Sequence, residues 1–118
     1  MILSDILKDS NYKLTQFEKD DKSKIKLLED SIILKESNGK MVPYVECLVR
    51  KKQIKLTPEE VVRQLYVLVL RDDHGYSTER MELEYAVTFG REKKRSDIVI
   101  FDKEKTLKAF KNFSIGGV

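Results

Sequence analysis

Between residues 56 and 70 the chain reads LTPEEVVRQLYVLVL, with apolar side chains at 61, 62, 65, 66, 68 and 69. That spacing predicts a helix. Its second half is apolar nearly all round, so it should lie buried between other elements. Thr57 fits the N-cap and Pro58 the first helical position. Glu60 fits the third position of a capping box, where its carboxylate would reach back to the Thr57 amide. The helix should end near residues 72–75, with Gly75 suited to the left-handed position after the last turn.

Upstream, residues 1–18 read as a short helix that Ser4 can cap, with Ile6, Leu7, Leu14 and Phe17 supplying apolar positions. KDDKSK, 19–24, reads as a solvated linker. SIILK and MVPYVECLV flank ESNGK, and Asn38-Gly39 there favours a tight hairpin turn. Pro43 has no amide hydrogen, so its strand is expected at a sheet edge. Downstream, residues 77–81 suit a short helical turn, and EYAVTF, 84–89, alternates as a strand does. GREKKRS then reads as a loop leading into DIVIFD, 97–102. Val99 and Phe101 share the face of Asp97 while Ile98 and Ile100 point the other way, so this strand should be central in a sheet covered on both sides. The basic tail, with Leu107, Phe110 and Phe113 at intervals of three, reads as loosely helical.

Composition narrows the chemistry. The 118 residues suit one small domain or a piece of something longer, 41% of them apolar and 36% charged, with a net charge of +3. One cysteine, Cys47, and one histidine, His74, exclude a disulfide framework or a Cys/His zinc site within the chain. Cys47 reads as a small buried hydrophobe and His74 as a turn residue. There is no signal-peptide pattern and no apolar run of about 18 residues, so a cytoplasmic chain without a membrane span is expected.

Two carboxylates stand out. Asp97 enters a strand that is apolar on both faces, so it must be solvated, paired, bound to a cation, or used to cap the preceding turn. Glu60 either completes the helix cap or joins Arg63 and Gln64, at i+3 and i+4, in a polar edge on an apolar helix. Solvent would satisfy that edge, and so would the rim of a site. The basic runs at 50–55 and at Arg91, Lys93, Lys94 and Arg95 are either solvated faces or a phosphate-binding rim.

VRKKQIKLTPEEVVRQLYVLVL, the Gly-Tyr turn and LEYAVTFGREKKRSDIVIFD together resemble the N-terminal nuclease domain of type I restriction enzyme R subunits, over roughly residues 48–102. The resemblance implies an α/β (α+β) fold of the PD-(D/E)xK nuclease superfamily, a mixed sheet flanked by helices, here incomplete. Residues 1–45 would form an extension and 46–118 the partial nuclease domain. It also implies Glu60 and Asp97 as catalytic, Mg²⁺-holding acids; Arg63, Gln64, Arg91, Lys93, Lys94 and Arg95, from the polar helix edge and the basic loop, are the candidate DNA contacts. Double-stranded DNA and the methylation and specificity subunits of a restriction–modification complex would be the partners. A further strand should carry an acid, any residue, then lysine. No such triplet follows Asp97, so the chain alone is expected not to cleave DNA. A non-catalytic DNA-binding or subunit-assembly module is the alternative. ATP would belong only to the motor region of a full-length parent, because no G-x-x-x-x-G-K-[ST] occurs here.

Overall fold

The computed structural model describes residues 2–18, 22–89, 92–102 and 106–113, and the side chains of 2–15, 17, 22–84 and 98–101. Its elements run α1 (Leu3–Leu7), α2 (Thr15–Glu18), α3 (Ser23–Asp30), β1 (Ile33–Ser37), β2 (Lys40–Glu46), β3 (Gln53–Lys55) and α4 (Pro58–Asp72). A 3-10 turn, Thr78–Arg80, leads into β4 (Met81–Phe89), β5 (Glu92–Asp102) and β6 (Thr106–Phe113). The fold is α+β, as expected. The strands form two three-stranded sheets, β1-β2-β3 and β4-β5-β6, in which each strand pairs antiparallel with its sequence neighbour. Short connections between consecutive strands favour that arrangement over a mixed sheet.

α4 lies between two hydrophobic clusters, as its all-round apolar pattern requires. Val61, Val62, Leu65 and Leu68 pack with Leu3, Leu7, Phe17, Ile25 and Leu28 of the N-terminal helices and with Val45 and Leu56. Val67 and Leu70 pack with Met81 and Leu83 of β4 and Ile98 and Ile100 of β5. Phe17 meets Tyr66 edge to face at 5.0 Å between ring centroids, a favoured aromatic geometry. Lys24 pairs with Asp73 at 3.0 Å, fastening α3 to the end of α4. There the Arg71 guanidinium donates to Asp72 and holds its carboxyl below the usual range, while Arg71 itself is pushed up. Beyond the helix Gly75 has φ +74, and the Tyr76 amide donates to the Leu70 carbonyl at 3.0 Å. His74 is exposed in that turn.

Asn38 and Gly39 take φ 51 and 78 between Ser37 and Lys40, the two-residue hairpin turn that the dipeptide predicts. Pro43 departs from expectation, since β2 is the central strand of its sheet. β3 pairs only with Tyr44, Val45 and Glu46, so Pro43 stands just past that ladder, where a missing donor breaks no strand pairing. In the second sheet β5 is central, and its alternation is as expected. Ile98 and Ile100 join the α4 cluster, whereas Val99 and Phe101 form a separate buried pair.

Several boundaries differ from the sequence reading. The first 18 residues hold two short helices, and Ser4 lies inside α1, where Asp5 accepts from the Ile2 amide instead. Ser23 and Lys24 belong to α3, whose Ile25 and Leu28, one turn apart, are buried. Residues 92–96 are strand rather than loop, because Phe89 through Tyr85 pair with Glu92 through Ser96. The tail at 106–113 is strand β6, not helix. It supplies β5 with a second neighbour, and a strand edge left open is a stronger demand than a weak three-residue periodicity.

Candidate functional site

The leading turn of α4 is set by its cap. The Thr57 hydroxyl accepts from the Glu60 amide at 3.3 Å, with Pro58 in the first turn. The reciprocal half of the capping box does not form. The Thr57 amide donates instead to the Lys55 carbonyl at 3.2 Å, and the Glu60 carboxylate turns to Arg63. Glu60 is therefore not spent on the cap.

Arg63 is the centre of this region. Its residue is 1% exposed, although it carries a full charge. One guanidinium nitrogen, Nη1, binds Glu60 Oε1. The other, Nη2, lies 2.8 Å from Glu59 Oε1 and 3.5 Å from Glu84 Oε1. A buried cation is tolerated only when it is paired in this way, since desolvation alone costs several kcal/mol, roughly, per ion. The planar fork of arginine suits several carboxylates at once, which a lysine ammonium on its flexible stem does not.

Glu84 reaches this cluster by an unusual backbone. Met81 and Leu83 pack against α4, so strict strand alternation would place Glu84 on the opposite face. Its φ of 55 interrupts the pleat. A non-glycine residue in that left-handed region costs about 1–3 kcal/mol, so it persists only where surrounding contacts demand it. Here two arginines do: Arg63, and Arg50, whose Nη2 lies 3.1 Å from Glu84 Oε2 and also donates to the Leu83 carbonyl at 3.3 Å. Arg50 comes from the loop after β2, closed by the Cys47 amide on the Lys52 carbonyl and the Lys51 amide on the Cys47 carbonyl.

Gln64 is fully buried beside this cluster. Its Oε1 accepts from the Leu48 amide at 3.1 Å, and its Nε2 donates to Cys47 Sγ at 3.3 Å. Cys47 is buried, as its apolar surroundings suggested. Arg63 and Gln64 are thus placed behind the surface, not on a solvated polar edge. They hold the helix to the β2–β3 loop and to β4.

Asp97 sits in β5 between two paired positions, Leu83 with Ile98 and Tyr85 with Ser96, so its backbone stands opposite Glu84. The backbones of Lys93, Lys94 and Arg95 run along the same strand, opposite Thr88, Val87 and Ala86. The side chains of these four residues, and all of Arg91, lie outside the described residues. The fold brings Glu60, Arg63 and Gln64 together, and the β4–β5 register brings the Asp97 position to Glu84. Sequence reasoning missed Arg50 and Glu84 as members of the cluster. Their separation in sequence hid a contact that depends on one left-handed residue.

Among the described residues, no group of three His, Cys, Asp or Glu side chains could hold a metal ion by itself. Glu60 nevertheless keeps one acceptor in reserve: Oε2 is buried and has no hydrogen-bond partner. A carboxylate oxygen left unsatisfied in that way fits a hard cation ligand, and Mg²⁺ commonly takes one or two carboxylates with water completing its shell.

Residues 58–111 match the family model described as Type I restriction enzyme R protein N terminus (HSDR_N). That stretch is R-protein-like. The match spans just under half of the chain, from the first residue of α4 into β6, and so includes Glu60, Arg63, Glu84 and Asp97. Within it, β6 runs from Thr106 to Lys111 without an acidic residue. No curated protein and no solved structure matches the chain. No helix among the described residues is long and apolar enough to cross a membrane.

Proposed function

We propose that residues 58–111 are the DNA-facing part of a type I restriction R-subunit nuclease region, with Glu60 and Asp97 as its metal-holding acids. One observation carries this reading: Glu60 is drawn away from its helix cap and keeps a buried, unpartnered oxygen. An acid that served only to start the helix would bond back to the Thr57 amide. The R-protein match supports the restriction context, and with it double-stranded DNA and the methylation and specificity subunits as partners.

Mg²⁺ bound there would activate water and stabilise charge on the scissile phosphate. The chain's own residues do the positioning. Arg63 fixes one oxygen of Glu60 and leaves the other to face a cation. The β4–β5 register sets the Asp97 backbone against Glu84, which Arg63 and Arg50 hold. Lys93, Lys94 and Arg95 lie on β5 ahead of Asp97, and with Arg91, which precedes them in sequence, they would meet DNA phosphates. Arg63 and Gln64, being buried, act on DNA only through the groups they position.

Hydrolysis needs more than these groups. The acid-x-lysine triplet does not occur after Asp97, so this chain by itself binds DNA but leaves it uncut. The test is a supercoiled plasmid incubated with the purified chain and Mg²⁺ or Mn²⁺, beside the Asp97→Ala variant. No nicking above background is expected from either protein. Nicking that needs the metal and is lost in Asp97→Ala would show a working nuclease and overturn the inactive reading. DNA affinity measured against salt tests the partner: a steep loss with salt supports phosphate contact, and a flat response favours an assembly role.

A further inference from the structure

Among the described residues the buried guanidinium of Arg63 contacts Glu59, Glu60 and Glu84, yet a divalent cation at Glu60 would seek the same negative charge. We infer that Arg63 is a built-in competitor for the cation, an internal counter-charge that keeps metal affinity at Glu60 low. This rests on the proposed metal-holding role of Glu60 but is separable from it. Among the described residues, the carboxylates of Glu59, Glu60 and Glu84 face the guanidinium groups of Arg63 and Arg50. Each of these described carboxylates is therefore already paired with a guanidinium.

Arg63 also has no way out. Its side chain is 2% exposed and held at both ends of the fork, so a cation must share Glu60 with it instead of displacing it into solvent. Two positive charges on one carboxylate repel each other, and the burial of Arg63 and of Glu60 Oε2 leaves that repulsion weakly screened. Glu60 Oε1 stays with Arg63, and Oε2 is the oxygen left for the metal. Metal binding at this site is accordingly weak until a further negative group arrives. The phosphate of a nucleic acid is such a group, so DNA and metal should bind each other's complexes more tightly than they bind the bare protein.

The experiment measures Mn²⁺ binding to the folded chain by calorimetry and by loss of the free Mn²⁺ resonance. Wild type is compared with Arg63→Met, Arg63→Gln, Arg63→Lys and Glu60→Gln. Removing the charge in Arg63→Met should tighten Mn²⁺ binding by at least about tenfold, because repulsion at such short range is strong. Arg63→Gln carries the same expectation if Arg63→Met does not fold. Arg63→Lys keeps the charge and should stay within about threefold of wild type. Unchanged or weaker binding in the two neutral variants would overturn the inference. If Mn²⁺ binding is absent throughout, or ignores Glu60→Gln, the metal-holding role of Glu60 fails and takes the inference with it. If binding depends on Glu60 but does not tighten when the charge is removed, only the competitor role of Arg63 fails.

Discussion

The two halves of α4 solve burial in opposite ways. Its trailing half, from Leu65 to Leu70, is held by apolar packing between two hydrophobic clusters. Its leading half buries Arg63 and Gln64 just as deeply, and holds them by ion pairs to Glu59, Glu60 and Glu84 and by hydrogen bonds to Leu48 and Cys47. The trailing half tolerates approximate shape, because dispersion and hydrophobic contacts are many and individually small. The leading half depends on a few directed bonds, each costly to leave unmade. A helix that needed only stability would be apolar throughout. The polar half marks where the chain departs from the cheapest core, and functional sites are where such departures gather.

That contrast can be broken from either end. The largest effect is expected from Leu65→Ala, which leaves a cavity in the cluster shared with the N-terminal helices. It should destabilise the protein by about 2–5 kcal/mol in urea unfolding and leave the proposed DNA affinity of the remaining folded protein unchanged. Gln64→Leu keeps volume but strands the Leu48 amide, at a cost of about 1–3 kcal/mol. It should also loosen the loop that carries Arg50, seen as faster hydrogen exchange at residues 47–52. Thr57→Ala removes the hydroxyl that caps the helix and should cost about 1 kcal/mol, read as a small drop in the unfolding midpoint. A Thr57→Ala loss as large as that of Leu65→Ala would erase the distinction drawn between the two halves.

Much of this architecture is legible in the residues. Cap, periodicity and apolar content together gave α4 its position between two layers, and the Asn38-Gly39 dipeptide gave the hairpin. The central place of β5 follows from Ile98 to Phe101 being apolar on alternate sides. The tail misled because Leu107, Phe110 and Phe113 fit a helical interval, while the deciding factor, an unpaired neighbour in β5, is tertiary. α3 was hidden by the charge of residues 19–24, which overlap its start. The site was half legible. Spacing alone joins Glu60 to Arg63, but their link to Glu84 requires a backbone angle no local pattern announces. Burial of Arg63 was equally hidden, since a lone arginine on a helix is ordinarily solvated.

The left-handed Glu84 has one more consequence, for how the hairpin finds its alignment. Sliding β4 by one residue against β5 would exchange the sides of every side chain and carry Glu84 away from both arginines. A local irregularity fastened at two points thus acts as an index mark. Only one alignment of the two strands lets the kink and its ion pairs form together, and that alignment is the one that sets position 97 across from it.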